Sequence, residues 1–210
     1  MSHATSMRTD TTTEYQLPSE DLLRADMYSL IAALLRTEPS DPLIQHIQTL
    51  EGDTSPLGSA INTLAKIARS LDNAVIRQEY FELFIGMGRG ELLPFASYYK
   101  TGFLNEKPLA TLRGDMAAIG ITRAEGVKEP EDHIASLMDM MAGLIRGDFG
   151  RPHSIAEQAS FFNKHISSWA DLFFADLEAA NKAVFFAPLG TVGRAFMDIE
   201  GHAFDMGAAG

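Results

Sequence analysis

The sequence predicts an all-α fold, and three observations carry that expectation. Apolar residues recur at intervals of three and four over most of the chain. Pro and Gly cluster between these stripes as punctuation. No stretch alternates apolar and polar residues long enough to form a half-buried strand. The 210 residues suffice for one domain with a substantial core, and a hydrophobic fraction of 46 % excludes compositional disorder.

Each element follows from local chemistry. Residues 1–17 are polar and Ser/Thr-rich at first, which predicts a disordered N-terminal tail; 18–210 then form the helical domain. Ser19 reads as the cap of a first helix, with Glu20 and Asp21 suiting its N-terminus. Leu23, Met27, Leu30, Ile31 and Leu34 form its stripe, and Pro39 and Pro42 end it. Asp41 and Pro42 open a short second helix through Ile47. Ser55-Pro56 starts a third, with Leu57, Ile61, Leu64, Ala68 and Leu71 aligned. Asp72 caps a fourth that carries Ile76, Tyr80, Leu83 and Phe84 until Gly86–Gly90 breaks it.

A loop through Pro94 and Tyr98-Tyr99 leads to a helix opened by Pro108 and closed by Gly120. Asp132 occupies the expected N-cap of the next, whose stripe is Ile134, Leu137, Met138, Met141, Leu144 and Ile145. One of the three methionines Met138, Met140 and Met141 is expected at the surface. A long helix from Ser154 carries Ile155, Phe162, Ile166, Trp169, Phe173 and Leu177. Pro188-Leu189-Gly190 reads as a stop, and a last helix carries Val192, Phe196 and Ile199. The expectation is a single bundle of about eight to ten helices.

Composition removes several function classes. A net charge of −11 opposes nucleic-acid binding, which needs a basic surface, and opposes docking on anionic lipid. No apolar run has the roughly 20 residues of a membrane span. The polar start lacks the apolar core of a secretory signal, so the expected location is the cytoplasm. There is no Cys, hence no disulfide or thiolate site. His133, His153 and His165 lack the spacing of a helix-borne metal pair, so no metal or cofactor is expected. Gly86-Met87-Gly88-Arg89-Gly90 lacks the preceding strand and the Gly-Lys-Ser/Thr ending of a phosphate loop.

Two irregular stretches stand out. Residues 86–99 concentrate Pro94, Phe95, Tyr98 and Tyr99, with Tyr80 and Phe84 just upstream. Adjacent tyrosines point in different directions, so at least one is available to line a groove. Asp132-His133 follows Pro130 at a loop–helix junction. Asp132 either caps the helix or offers a carboxylate to a cationic ligand; His133 offers a hydrogen bond. An acid–base pair at Asp132 and His133 in a helical enzyme, or a general helical interaction module, are the alternatives from other classes.

Four segments resemble one family. Glu79-Tyr80-Phe81-Glu82-Leu83-Phe84-Ile85-Gly86 is similar to the aromatic-x-x-Leu-Phe-x-Gly segment of the TorD/DmsD/NarJ family. Pro94–Tyr99 resembles the loop that follows it, and Glu129-Pro130-Glu131-Asp132-His133 resembles the family's Glu-Pro-x-Asp-His box. Phe162, His165, Ile166, Trp169 and Phe173 resemble its later His-Leu-x-x-Trp helix. The resemblance implies a non-enzymatic chaperone of molybdoenzyme maturation. Such a protein binds the twin-arginine signal peptide or the apo catalytic subunit until the cofactor is inserted. Carried over by position, the client-peptide surface comprises Tyr80, Leu83, Phe84, Pro94, Tyr99, Pro130, Asp132 and His133. Tyr80 and Tyr99 stand where some relatives have Trp. Tyr98–Leu109 resembles members associated with formate dehydrogenases, and a monomer or a domain-swapped homodimer fits the family.

Overall fold

Ten α-helices form the regular structure of the described residues, which are 17–123 and 129–208 of a computed structural model. They are α1 (Ser19–Arg36), α2 (Asp41–Thr49), α3 (Pro56–Ser70), α4 (Asn73–Tyr80), α5 (Ala96–Thr101), α6 (Lys107–Ala118), α7 (Ile134–Arg146), α8 (Ile155–His165), α9 (Ala170–Ala179) and α10 (Phe186–Ala208). The tail expected over 1–17 lies almost wholly outside the described residues. No strand occurs among them; one isolated antiparallel bridge joins Phe95 to His133.

Packing follows the apolar stripes. α1 lies along α7, α9 along α10, and α10 also covers α3. α7 is the central element: its apolar residues from Ile134 to Ile145 are all buried. That includes Met138, Met140 and Met141, so none of the three reaches the surface as expected; Asp139 takes the exposed position instead. Close approach of α10 to α9 depends on glycine. A Cβ at Gly193 would lie 2.3 Å from the Phe174 ring, and one at Gly190 would lie 2.7 Å from the Phe174 carbonyl oxygen.

Several expected boundaries are corrected. α1 begins after Pro18, and Ser19 makes no capping hydrogen bond. α2 opens at Asp41 and Pro42 as expected, and Ser40 caps it by accepting from the Leu43 N–H. The fourth helix does not run unbroken to Phe84: α4 ends at Tyr80 and a π-turn follows over Phe81–Ile85. Residues 96–101, expected as loop, form α5. The long helix from Ser154 is two, because the chain breaks over residues 166–169. There the Trp169 Nε1 donates to the His165 carbonyl at 2.7 Å and caps α8.

Pro188 does not stop the chain. It stands in the first turn of α10, where a missing N–H costs nothing. The cap comes from 107 residues earlier: Glu79 accepts from the N–H groups of Val184, Phe185 and Phe186 at 2.8, 3.0 and 2.7 Å. A buried carboxylate satisfied by three amides at a helix N-terminus needs no cation.

Candidate functional site

The loop after the π-turn and the Pro130–His133 junction meet edge to edge. The Ala96 N–H donates to the Asp132 carbonyl at 2.9 Å, and the Ile134 N–H to the Pro94 carbonyl at 2.8 Å. Asp132 fastens the join. Its Oδ2 accepts from the Ser97 N–H at 2.8 Å and from the Ser97 hydroxyl at 2.5 Å. The carboxylate thus serves the N-terminus of α5 rather than that of its own helix. Asp132 is 1 % exposed, and its Oδ1 has no hydrogen-bond partner among the described residues. A buried carboxylate oxygen left without a donor is costly unless something supplies one.

His133, not Asp132, caps α7. Its Nδ1 accepts from the Ala135 N–H at 3.1 Å, which fixes this nitrogen as unprotonated. The ring is 5 % exposed and packs edge-on to Phe95 at 5.0 Å. Burial, reinforced by the Arg36 charge, lowers its pKa from the ordinary 6.5 to about 3. No hydrogen bond joins the side chains of Asp132 and His133; each is committed to a different helix end. That arrangement does not make an acid–base pair.

The His133 environment predicts a pH dependence. The unfolded chain takes up this proton below about pH 6.5 and the folded chain only near 3, so stability falls as pH drops between them. The expected slope from this residue is about 1.4 kcal/mol per pH unit. Urea unfolding at pH 7, 6 and 5 of the wild type and of His133→Asn, which retains a capping side chain, measures it. Equal slopes for the two proteins would refute the assignment.

Around this junction the aromatic residues form two groups. Tyr80 and Phe84 lie 5.0 Å apart and both pack on Phe186 of α10. Tyr80 is buried, which pushes its phenol up to about 12. Leu83 is fully buried beneath them. Tyr99 stacks on Trp169 at 5.4 Å and meets Phe173 at 6.0 Å, and its hydroxyl donates to Asp176 at 2.8 Å. Tyr98 meets the Tyr99 ring edge-on at 5.9 Å and lies under the Arg89 guanidinium at 5.5 Å. Phe84, Phe95, Tyr98, Tyr99 and Pro130 are half-buried, whereas Pro94, like Tyr80 and Leu83, is buried. Ile85, Met87 at 98 % exposure and Phe103 extend the apolar surface outward.

The eight residues singled out from sequence therefore divide into surface and support. Phe84, Tyr99 and Pro130 present surface; Tyr80, Leu83, Pro94 and His133 hold it from below. Asp132 bonds inward through one oxygen and leaves the other free.

The profile of the nitrate reductase delta subunit family matches residues 50–175. The chain belongs to the nitrate reductase delta subunit family. Relatives of this kind include the chaperone protein TorD of Vibrio cholerae, 25 % identical over 202 residues, covering 87 % of this chain and 92 % of that protein. TorD of Photobacterium profundum is 29 % identical over 136 residues, covering 61 % and 62 %. A crystal structure of an Archaeoglobus fulgidus protein, described as a candidate redox enzyme maturation protein, superposes with a TM-score of 0.56. It is 18 % identical and covers 90 % of this chain and 99 % of its own, so the likeness carries the fold. The chain is TorD-like, and the relatives named are chaperones.

Within this family member, sequence reasoning missed two residues. Ser97 shares the Asp132 carboxylate, and Glu79 binds the start of α10. Both lie inside the family-like segments, and both are polar residues next to apolar runs. That pattern is the available signal for a buried, satisfied polar group.

Proposed function

We propose that this protein is a dedicated cytoplasmic chaperone for one molybdenum-containing oxidoreductase, with a formate dehydrogenase as the client. It holds the twin-arginine signal peptide, the apo catalytic subunit, or both until cofactor insertion and export. One observation carries the reading: the two family-like segments are joined by the Asp132–Ser97 bonds into one surface of half-buried aromatics, backed by the buried Asp132, whose Oδ1 has no partner among the described residues. A twin-arginine signal combines a cationic head with an apolar stretch. Phe84, Tyr99 and Pro130 suit the apolar stretch, and Asp132 Oδ1 suits one guanidinium N–H. The net charge of −11 steers the cationic head inward from a distance. No helix among the described residues is long and apolar enough to cross a membrane, which is compatible with a cytoplasmic role.

Capture from native cells tests the client, and a molybdoenzyme catalytic subunit is the expected catch. Calorimetry with that subunit's signal peptide then tests Asp132. Asp132→Ala is expected to bind at least about tenfold more weakly at temperatures where its melt shows a folded protein, beyond the roughly 1–3 kcal/mol of stability lost with the Ser97 bonds. Unchanged affinity with a lowered melting temperature would make Asp132 a clamp only. Capture of no redox enzyme would refute the client assignment.

A further inference from the structure

α6 covers a cleft whose other wall is α8 and whose floor is α7. Two cavities lie in it. The first, about 270 Å³, is lined by Lys100, Thr111, Leu112 and Leu137 and reaches Asp132. The second, about 190 Å³, is lined by Ala118, Leu144, Ser160 and Phe161 and reaches His153. Lys164 and His165 border both. Between the cavities, Asp115 of α6 bridges to α8: Lys164 Nζ reaches Oδ1 at 2.9 Å, and His165 Nε2 reaches Oδ2 at 2.7 Å.

The two buried side-chain atoms left without a partner among the described residues belong to residues that line these cavities. Asp132 Oδ1 belongs to the first. His153 Nδ1 belongs to the second, on a residue 9 % exposed. The main chain at His153 is fully fixed: its N–H donates to the Leu144 carbonyl at 2.8 Å, and its carbonyl accepts from Gln158 Nε2 at 2.8 Å. Only the ring lacks a partner. Such buried polar atoms are rare in folded proteins and mark places where another molecule completes the hydrogen bonding.

We propose that the α6–α8 cleft receives an extended polar segment of the client polypeptide, the flank of the Arg pair opposite its apolar stretch. This rests on the client reading above and extends it. An extended main chain displays N–H and C=O groups alternately, so with the adjoining Arg pair at Asp132 Oδ1 the segment meets His153 Nδ1 with whichever group its tautomer requires. Thr111, Ser160, Lys100 and Lys164 offer hydrogen bonds along a lining that is otherwise largely apolar, so the segment's main chain supplies the polar contacts. Recognition through the main chain tolerates varied side chains. The Asp115 bridge closes the middle of the cleft, so it opens when the segment enters. Asp115 therefore opposes binding, and its removal favours it.

Two fluorescein-labelled synthetic peptides test this against the full chain. One carries a polar flank, an Arg-Arg pair and an apolar stretch; the other lacks the polar flank. Asp115→Ala is expected to tighten the long peptide about twofold to fivefold, the scale of a partly exposed ion pair, and to leave the short one unchanged. Ser160→Trp, at an exposed position on the cavity wall, is expected to weaken the long peptide at least about fivefold with no effect on the short one. Ala118→Trp on the opposite wall repeats the block if Ser160→Trp folds poorly. If the short peptide binds and these variants leave the long one unaffected, or shift both peptides alike, the cleft is overturned and the client reading stands. If neither peptide binds the wild type, the client reading falls and the cleft with it.

Discussion

Glu79→Ala lowers the stability of the domain by about 3 kcal/mol, because it leaves two buried N–H groups and a third, part-buried one without an acceptor. The side chain is 6 % exposed, and its two oxygens take the Val184, Phe185 and Phe186 amides at the start of α10. Water has little access to replace it. Glu79→Gln retains one acceptor oxygen and is expected to fall between Ala and wild type. Urea unfolding followed by circular dichroism and by fluorescence of the single Trp169 measures both. A cost below about 1 kcal/mol for Ala would refute the capping role. The consequence reaches the binding surface, since Tyr80 and Phe84 pack on Phe186 at 5.9 and 5.6 Å. Peptide affinity is expected to fall with stability in this variant.

Arg24→Ala costs about 3–5 kcal/mol, the range for stripping one partner from a buried pair. Glu200 is 0 % exposed in the middle of α10. Arg24 grips it from α1 with two bonds, Nε to Oε1 at 2.7 Å and Nη2 to Oε2 at 2.8 Å. Tyr28 adds its hydroxyl to Oε2 at 2.9 Å. Without Arg24 a carboxylate remains in the core with one neutral donor. Arg24→Ala combined with Glu200→Gln is expected to recover much of the loss, because the charge and its partner leave together. A double variant no more stable than Arg24→Ala alone would contradict this. Unlike Glu79, this network lies away from the aromatic surface, so client affinity at saturation of folding stays unchanged.

Helix type and order were legible because the apolar stripes repeat at helical spacing; that of α7 is buried throughout, whereas in α1 the stripe holds from Met27 to Leu34 and Leu23, counted in it from spacing alone, is 70 % exposed. Helix ends were less legible. Pro188 and Gly190 look like a stop in any local reading. They are tolerated because Glu79 caps the helix from afar and because the Phe174 carbonyl and Glu178 occupy the space that a Cβ at Gly190 would need. The break between α8 and α9 is likewise made by a tertiary choice, the Trp169 ring turning back to the His165 carbonyl. At the junction, residues 130–133 were marked as special, yet the division of labour was not visible. Whether a carboxylate caps its own helix or another depends on the neighbour that the fold brings up, here Ser97, 35 positions away. Asp132 and Ser97 are ordinary letters in one dimension.

That 35-residue separation has a consequence for how this chaperone diversifies. Phe95–Ser97 and Pro130–Ile134 form the neck of a closed loop that contains α5, α6 and the connection beyond. Lengthening such a loop adds little entropy cost, since closure grows only as the logarithm of its length. Everything between the two ends of the neck is a cassette. Insertions there are expected to leave the packing of α1, α7 and α10 intact, so the segment is free to change without the scaffold changing with it.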